Sequence, residues 1–333
     1  MAPLLKADAA SIERAALIIR SGGIVAFPTE TVYGLGADAL NSAACARVFE
    51  AKNRPSFDPL IVHLADRGGL EGLVKSIPPP ARALMDRFWP GPLTLVFDKS
   101  ELVPDIVTAG LPTVAVRMPA HPVAIELIAR SGRPIAAPSA NPFGYISPTC
   151  ADHVASQLGD AVDLILDGGE CAVGLESTIL RIDDDGAFLL RPGGLALEEI
   201  EAVIGRVADA SGPRARPNAP GQTASHYSPS TPVRIVKSAA DAGPLTGNEG
   251  LLSFRGFSGE APFAAVETLS PAGDLREAAA RLFSCMHRLD SLGLGLIYAE
   301  KVPQEGLGRA IMDRLRRAES PSVDRREGRP FPD

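Results

Sequence analysis

An open, twisted α/β domain, joined through a Pro/Gly-rich linker to a smaller C-terminal α/β domain, is the fold class predicted by this chain of 333 residues. Two observations carry that expectation. Short apolar runs of strand length alternate with stretches of helical period, the pattern of a sheet with helices packed on its faces. The composition then changes near residue 209, where Pro, Gly, Ser, Ala and Asn replace the periodic pattern, and the alternation resumes beyond it. The length is ample for two cores that need no covalent staples.

Ser11 to Arg20 places Ile12, Ala15, Ala16 and Ile19 on one helical face, and Gly22-Gly23 stops it. Gly23 to Phe27 follows as a short apolar strand. Ser42 to Lys52 predicts a helix with Cys45, Val48 and Phe49 inward, closed by Pro55, because the residue before a proline avoids the helical region. Leu60 to Leu64, Leu93 to Phe97, Thr113 to Val116, Pro134 to Ala137 and Leu164 to Leu166 are further strands. Pro80 to Phe88, Pro122 to Ala129 and Ala151 to Leu158 are the helices between several of them. Thr178 to Ile182 and Phe188 to Leu190 flank Asp183-Asp184-Asp185-Gly186, a hairpin turn. A catalytic domain over residues 1–208 is thus expected, then a linker or lid over 209–232, since a structureless loop of that length does not belong inside one domain. The C-terminal α/β domain is expected over 233–333, with strands Val233 to Val236, Leu251 to Phe254 and Gly295 to Tyr298, helices Leu275 to Leu289 and Ala310 to Ala318, and a polar, frayed tail.

Bulk properties narrow the function. An apolar fraction of 45% with 22% charged residues is that of a globular protein. A net charge of −7 argues against sequence-blind nucleic-acid binding, which needs a basic face. Cys45, Cys150, Cys171 and Cys285 form no C-x-x-C pair and read as buried thiols of a cytoplasmic protein. No membrane span or signal peptide is evident.

Polar clusters sit at the borders of the apolar runs. PTETVYGLG (28–36) brings a hydroxyl-rich turn, and KNRP (52–55) puts Lys52 and Arg54 at a helix end, where point charge and planar donors suit phosphates. Either has an ordinary alternative, as turn chemistry or as cations on a helix dipole. Gly34-Leu35-Gly36 nominally begins a dinucleotide fingerprint, but the glycines do not directly follow the strand and no clean βαβ unit ensues. The strand Leu60 to Leu64 carries His63, and the five histidines show no zinc spacing. Arg117 ends another strand and needs a partner, either a substrate carboxylate or an internal acid. Ala137, Ser139 and Asn141 lie in a segment of small residues, with Ser147 a little beyond, and LEST (175–178) and RPGG (191–194) complete the set. Five such clusters point to a common cleft.

PTETVYGLG, KNRP, PLIVH, VAVRMP, APSAN, LESTI and LRPGG occur in the order of the YrdC-like threonylcarbamoyl-AMP synthase family, which this chain resembles over nearly its whole length. PGQTASHYSP and GLGRAIMDRLRRA match its longer, two-domain members. The resemblance implies a YrdC-like catalytic domain and L-threonylcarbamoyladenylate synthesis from ATP, L-threonine and bicarbonate, feeding a tRNA threonylcarbamoyl transferase machinery. It implies that Thr31, His63, Arg117, Ala137 and Ser177 hold threonine. Lys52, Arg54, Asp58, Thr113, Ser139, Asn141, Ser147, Arg191 and Tyr227 would surround ATP, whose Mg2+ arrives with it rather than in a protein cage. Tyr227 would make the linker a lid. Asp58 departs from the family, where many members carry Asn, and QTAS is less basic than its counterpart. The rival readings are an RNA-binding or ribosome-assembly factor using the same cleft, and an enzyme of carbamoyl phosphate.

Overall fold

The computed structural model describes residues 2–212, 227–259 and 262–319. The expected tail and most of the linker, including His226, lie outside the described residues. In chain order the elements are β1 (Leu4–Lys6), α1 (Ala9–Arg20), β2 (Val25–Phe27), β3 (Gly34–Asp38), α2 (Ser42–Lys52), β4 (Ile61–His63), α3 (Pro79–Phe88) and β5 (Leu93–Asp98). Then come α4 (Asp105–Thr108), β6 (Thr113–Arg117), α5 (Pro122–Ser131), β7 (Ile135–Ala136), α6 (Ala151–Leu158), β8 (Leu164–Asp167), β9 (Thr178–Asp183), β10 (Gly186–Arg191), α7 (Leu197–Ile204) and β11 (Ala208–Asp209). Beyond the linker stand β12 (Val233–Val236), β13 (Glu249–Ser253), β14 (Ala265–Thr268), α8 (Leu275–Ser291), β15 (Leu296–Glu300) and α9 (Gly308–Glu319).

The first eleven strands form one open sheet in the order β1-β8-β2-β3-β7-β4-β6-β5-β9-β10-β11. It is mixed: β2 and β3 run antiparallel, as do β3/β7, β4/β7 and β5/β6, while β4/β6 and β5/β9 are parallel. The last four strands form a second, wholly parallel sheet in the order β12-β15-β13-β14.

Local chemistry explains the helices nearest the cleft. The Asp8 side chain caps α1 by accepting from the Ser11 amide, and Ile12, Ala15, Ala16 and Ile19 are its buried face. Asn41 caps α2 in the same way, and α2 stops at Asn53, whose backbone turns left-handed at φ 49°. Asn53 rather than Pro55 therefore ends this helix, because an asparagine tolerates that conformation and closes the last turn two residues earlier.

The glycines expected to form no dinucleotide loop instead build β3. A Cβ on Gly36 would lie 2.6 Å from Phe27 and 2.7 Å from Ile135, so glycine here lets neighbouring strands carry large side chains. The apolar pattern missed this strand because its alternate positions have no side chains.

One apolar cluster crosses between the sheets. Val32, Ile146, Leu175 and Ala196 of the first pack with Tyr227, Phe283, Met286 and Leu315 of the second. Gly174 (φ 71°) belongs to the same seam, since a Cβ there would meet the Ala280 carbonyl of α8 at 2.4 Å.

Candidate active site

The polar strand borders converge on one cleft of about 510 Å³, counted to its open mouth, which Thr31, Arg54, His63, Arg117, Ala137, Ser139, Ser177, Arg191 and Tyr227 help to line. Register explains how they meet. His63 ends β4 directly opposite Arg117 at the end of the parallel β6, and Ala136 of β7 pairs with Val62, so the segment after β7 turns over the same spot.

Arg117 is 3% exposed, and its Nη2 faces the Glu30 carboxylate as an ion pair without a hydrogen bond. It lies 2.6 Å from Glu30 Oε1, its Nη1 donates to Thr31 Oγ1 at 2.8 Å, and its Nε donates to the Gly91 carbonyl at 3.2 Å. An internal acid thus does occupy the fork, and that acid comes from the Thr-Glu-Thr turn itself. His63 is 3% exposed, and its Nδ1 lies 3.1 Å from the Ile61 carbonyl, which can only accept. Nδ1 therefore carries the proton, leaving Nε2 as an acceptor. Burial, reinforced by the Arg117 cation, drives His63 down to about 3, so the ring is neutral at ordinary pH.

Arg54 points into the cleft from the end of α2. Its guanidinium lies 5.9 Å from the Phe143 ring and pairs with Asp58 at 2.9 Å, while its Nε and Nη2 donate to the carbonyls of Asp58 and Pro59. Arg191, at the end of β10, donates from Nε and Nη2 to the Ser177 carbonyl at 3.2 and 2.9 Å. The Ser177 hydroxyl is 2.7 Å from Thr94 Oγ1. Asp58 is completely buried, and although burial raises its carboxyl, Arg54 and then Lys52 oppose the shift. A carboxylate here would repel phosphates if left alone, and Arg54 beside it supplies the opposite charge.

Five expected residues do not line the cleft. Lys52 is 1% exposed, and its Nζ donates to the carbonyls of Ser139 (2.6 Å) and Asn141. Burial, followed by the neighbouring Arg54 charge, pushes this amine well below its ordinary range. Asn141 donates to the carbonyls of Pro142 and Tyr145, and Ser147 donates to Glu176, so both shape loops behind the lining. Asp58 sits behind Arg54. Thr113 shares the sheet face of Arg117 but stands at the other end of β6.

Residues 17–193 match the Sua5/YciO/YrdC family model, described as telomere recombination, and residues 195–320 match the model of the threonylcarbamoyl-AMP synthase C-terminal domain. The chain is 47% identical to the threonylcarbamoyl-AMP synthase of Pyrococcus abyssi, over 92% of this chain and 93% of that one. It is 44% identical to the Bacillus subtilis threonylcarbamoyl-AMP synthase, over 92% of each. This chain belongs to the threonylcarbamoyl-AMP synthase family. Its fold matches the crystal structure of P. abyssi Sua5 complexed with L-threonine at a TM-score of 0.88 and 43% identity, covering 96% of this chain and 97% of that one. No helix among the described residues is long and apolar enough to cross a membrane.

Three residues within the quoted clusters had no role assigned from the sequence and are engaged at the cleft. Glu30 was visible inside Thr-Glu-Thr, but nothing local pairs it with a residue 87 positions away. Thr29 ties the turn together by donating to the Val32 carbonyl at 2.6 Å. Glu176 lines the cleft and is held by Arg314 of α9, a contact that only the packing of two units creates.

Proposed function

We propose that the chain is a nucleotidyltransferase that condenses L-threonine, bicarbonate and ATP into threonylcarbamoyl-AMP and pyrophosphate. One observation supports this most directly: a neutral histidine and Arg117 share one open cleft with two further arginines, Arg54 and Arg191. Thr31, His63, Arg117, Ala137 and Ser177 are assigned to threonine. His63 Nε2 offers an acceptor for its hydroxyl or amine, and Arg117 supplies positive charge for its carboxylate. Val32 and Ile61 offer apolar contact to its methyl, worth about 1–3 kcal/mol of preference over serine.

Arg54 and Arg191 are assigned to the phosphates, with Ser139 and Tyr227 beside the nucleotide. Lys52, Asn141, Ser147 and Asp58 are assigned to holding these groups in place, and Thr113 to the nucleotide's far end. Bicarbonate supplies carbon dioxide by losing hydroxide. The threonine amine bonds to its carbon and gives up a proton to become a carbamate, and the hydroxide and proton leave as water. A carbamate oxygen then attacks the α-phosphorus of ATP, and the bond to the leaving pyrophosphate breaks. Such a transfer needs placement and charge stabilisation rather than a nucleophilic side chain. We assign Mg2+ to the ATP it would accompany, where it would supply phosphate charge neutralisation. The product suits hand-over to a tRNA-modifying transferase in the cytoplasm, a setting consistent with the free thiols of Cys45, Cys150, Cys171 and Cys285.

The test incubates purified protein with ATP and bicarbonate, with and without threonine, and reads pyrophosphate and adenylate by mass. Adenylate that forms only with all three substrates is the expected result. A folded, ATP-binding protein that yields none would overturn the assignment and favour RNA as the cleft's ligand.

A further inference from the structure

Arg314 has the largest fully buried side chain among the described residues, and it belongs to α9, in the C-terminal unit. A buried guanidinium is costly unless its donors are met. The Nε and Nη1 donors of Arg314 are met beside the cleft, while Nη2 has the Glu176 charge next to it but no hydrogen bond. Nε and Nη2 each lie 3.0 Å from Glu176 Oε2, and Nη1 donates to the Pro192 carbonyl at 2.7 Å and to Asp313 Oδ2 at 2.8 Å. Its Cζ also lies 4.9 Å from the Tyr227 ring centre, and that ring stacks on Phe283 of α8 at 5.7 Å. One side chain therefore reaches three segments that line the cleft: Glu176 before β9, Pro192 beside Arg191, and Tyr227 in the last part of the linker.

The contacts continue inward. The other oxygen of Glu176 accepts from Ser147, and the Ser147 carbonyl is 3.2 Å from His287 Nε2 of α8. Tyr227 itself is held at φ 63°, a left-handed backbone that a tyrosine adopts only when its surroundings impose it. A carboxylate facing a cleft for an anionic nucleotide would repel it if left unpaired. Arg314 neutralises that carboxylate from behind, so the cleft keeps Glu176 as an acceptor for Ser147.

We propose that Arg314 is a positioning residue of the C-terminal unit, which holds Glu176 and the Tyr227 ring in place on the nucleotide side of the cleft. The inference rests on the proposed function for its kinetic meaning, and on geometry alone for the placement of Tyr227. It gives the C-terminal unit a part in ATP binding, although α9 does not line the cleft.

The test compares Arg314→Met, Arg314→Lys and Arg314→Met combined with Glu176→Gln. Arg314→Met is expected to raise KM for ATP on the order of tenfold, the size of coupling found between contacting residues, with a smaller change in KM for threonine. Adding Glu176→Gln removes the unpaired charge and is expected to recover much of that loss. A double variant no better than Arg314→Met, or an unchanged KM for ATP, overturns the inference. Should Arg314→Met not fold, Arg314→Lys carries the test, because it keeps the charge and loses the planar fork and stacking surface. Tyr227 is then expected to be nitrated by tetranitromethane under conditions that spare it in the wild type. Protection equal to wild type, together with an unchanged KM for ATP, overturns the inference for that variant. Nitration needs no turnover, so a wild-type chain that forms no adenylate would remove the proposed function and leave the placement of Tyr227 still measurable.

Discussion

Replacing Lys52 with methionine separates two uses of one amine, a clamp on phosphate and a staple within the chain. The side chain is 1% exposed, and Nζ donates to the carbonyls of Ser139 and Asn141. A buried carbonyl left without its donor costs about 1–3 kcal/mol, so the pair accounts for roughly 2–6 kcal/mol. Methionine restores the apolar contact of the stem and avoids burying a polar amine, yet it leaves two buried carbonyls without this donor. The net loss is then about 3 kcal/mol. For a unit of this size each kcal/mol lowers Tm by about 2–4 °C, which predicts a fall of roughly 6–12 °C. Differential scanning fluorimetry reads that fall, and calorimetric titration with ATP on the folded variant reads affinity. Because Ser139 lines the cleft, affinity is expected to weaken only through the loosened loop. A variant that melts within about 2 °C of the wild type but loses nearly all ATP affinity would refute the staple and put the amine on the phosphates.

Three further outcomes are expected. Stability should fall in mild acid, because burial lowers His63 to about 3 and lowers His153 and His287 to about 4, from an ordinary 6.5. The unfolded chain therefore takes up protons first: stability is complete above about pH 6.5 and is lost towards pH 4, at about 1.4 kcal/mol per pH unit for each ring. Arg117 faces His63, while Asp152 and Arg288 face His153, and a Tm that stays level from neutral pH to about 4.5 would contradict this account. Gly36→Ala should cost about 1–3 kcal/mol by overpacking against Phe27 and Ile135, lowering Tm with little change in either KM, as melting curves and steady-state kinetics would show. Tyr227→Ala should raise ATP breakdown relative to adenylate formed, since that ring covers a cleft from which water must be kept; an unchanged ratio of pyrophosphate to adenylate would sink the lid.

Much of the fold was legible because it rests on local rules. Ile12, Ala15, Ala16 and Ile19 are both the apolar face of the pattern and the buried face of α1. α6 and β12 have the expected limits, Ala151–Leu158 and Val233–Val236. Where the pattern failed, the signal was absent from the side chains. β3 is built on glycines, and the edge strands β1 and β11 are too short, at three and two residues, to show a period. α7 carries Glu198, Glu199 and Glu201 among its apolar positions and was passed over. Among the site residues, Arg54, His63, Arg117, Ser139 and Ser177 announced themselves as polar groups at strand or helix ends, and all reach the cleft.

The sequence by itself determined the family, the α/β alternation and the set of polar groups available for chemistry, because each depends on residue type and near-neighbour order. Tertiary structure alone decided which of those groups face the cleft. Lys52 and Arg54 are two residues apart, yet one turns inward to staple a loop and the other lines the site. It also decided the partners: Glu30 for Arg117, and Arg314 for Glu176 across 138 positions. The physical reason is that a buried charge has to find its counter-charge in space, and only packing brings distant segments within 3 Å.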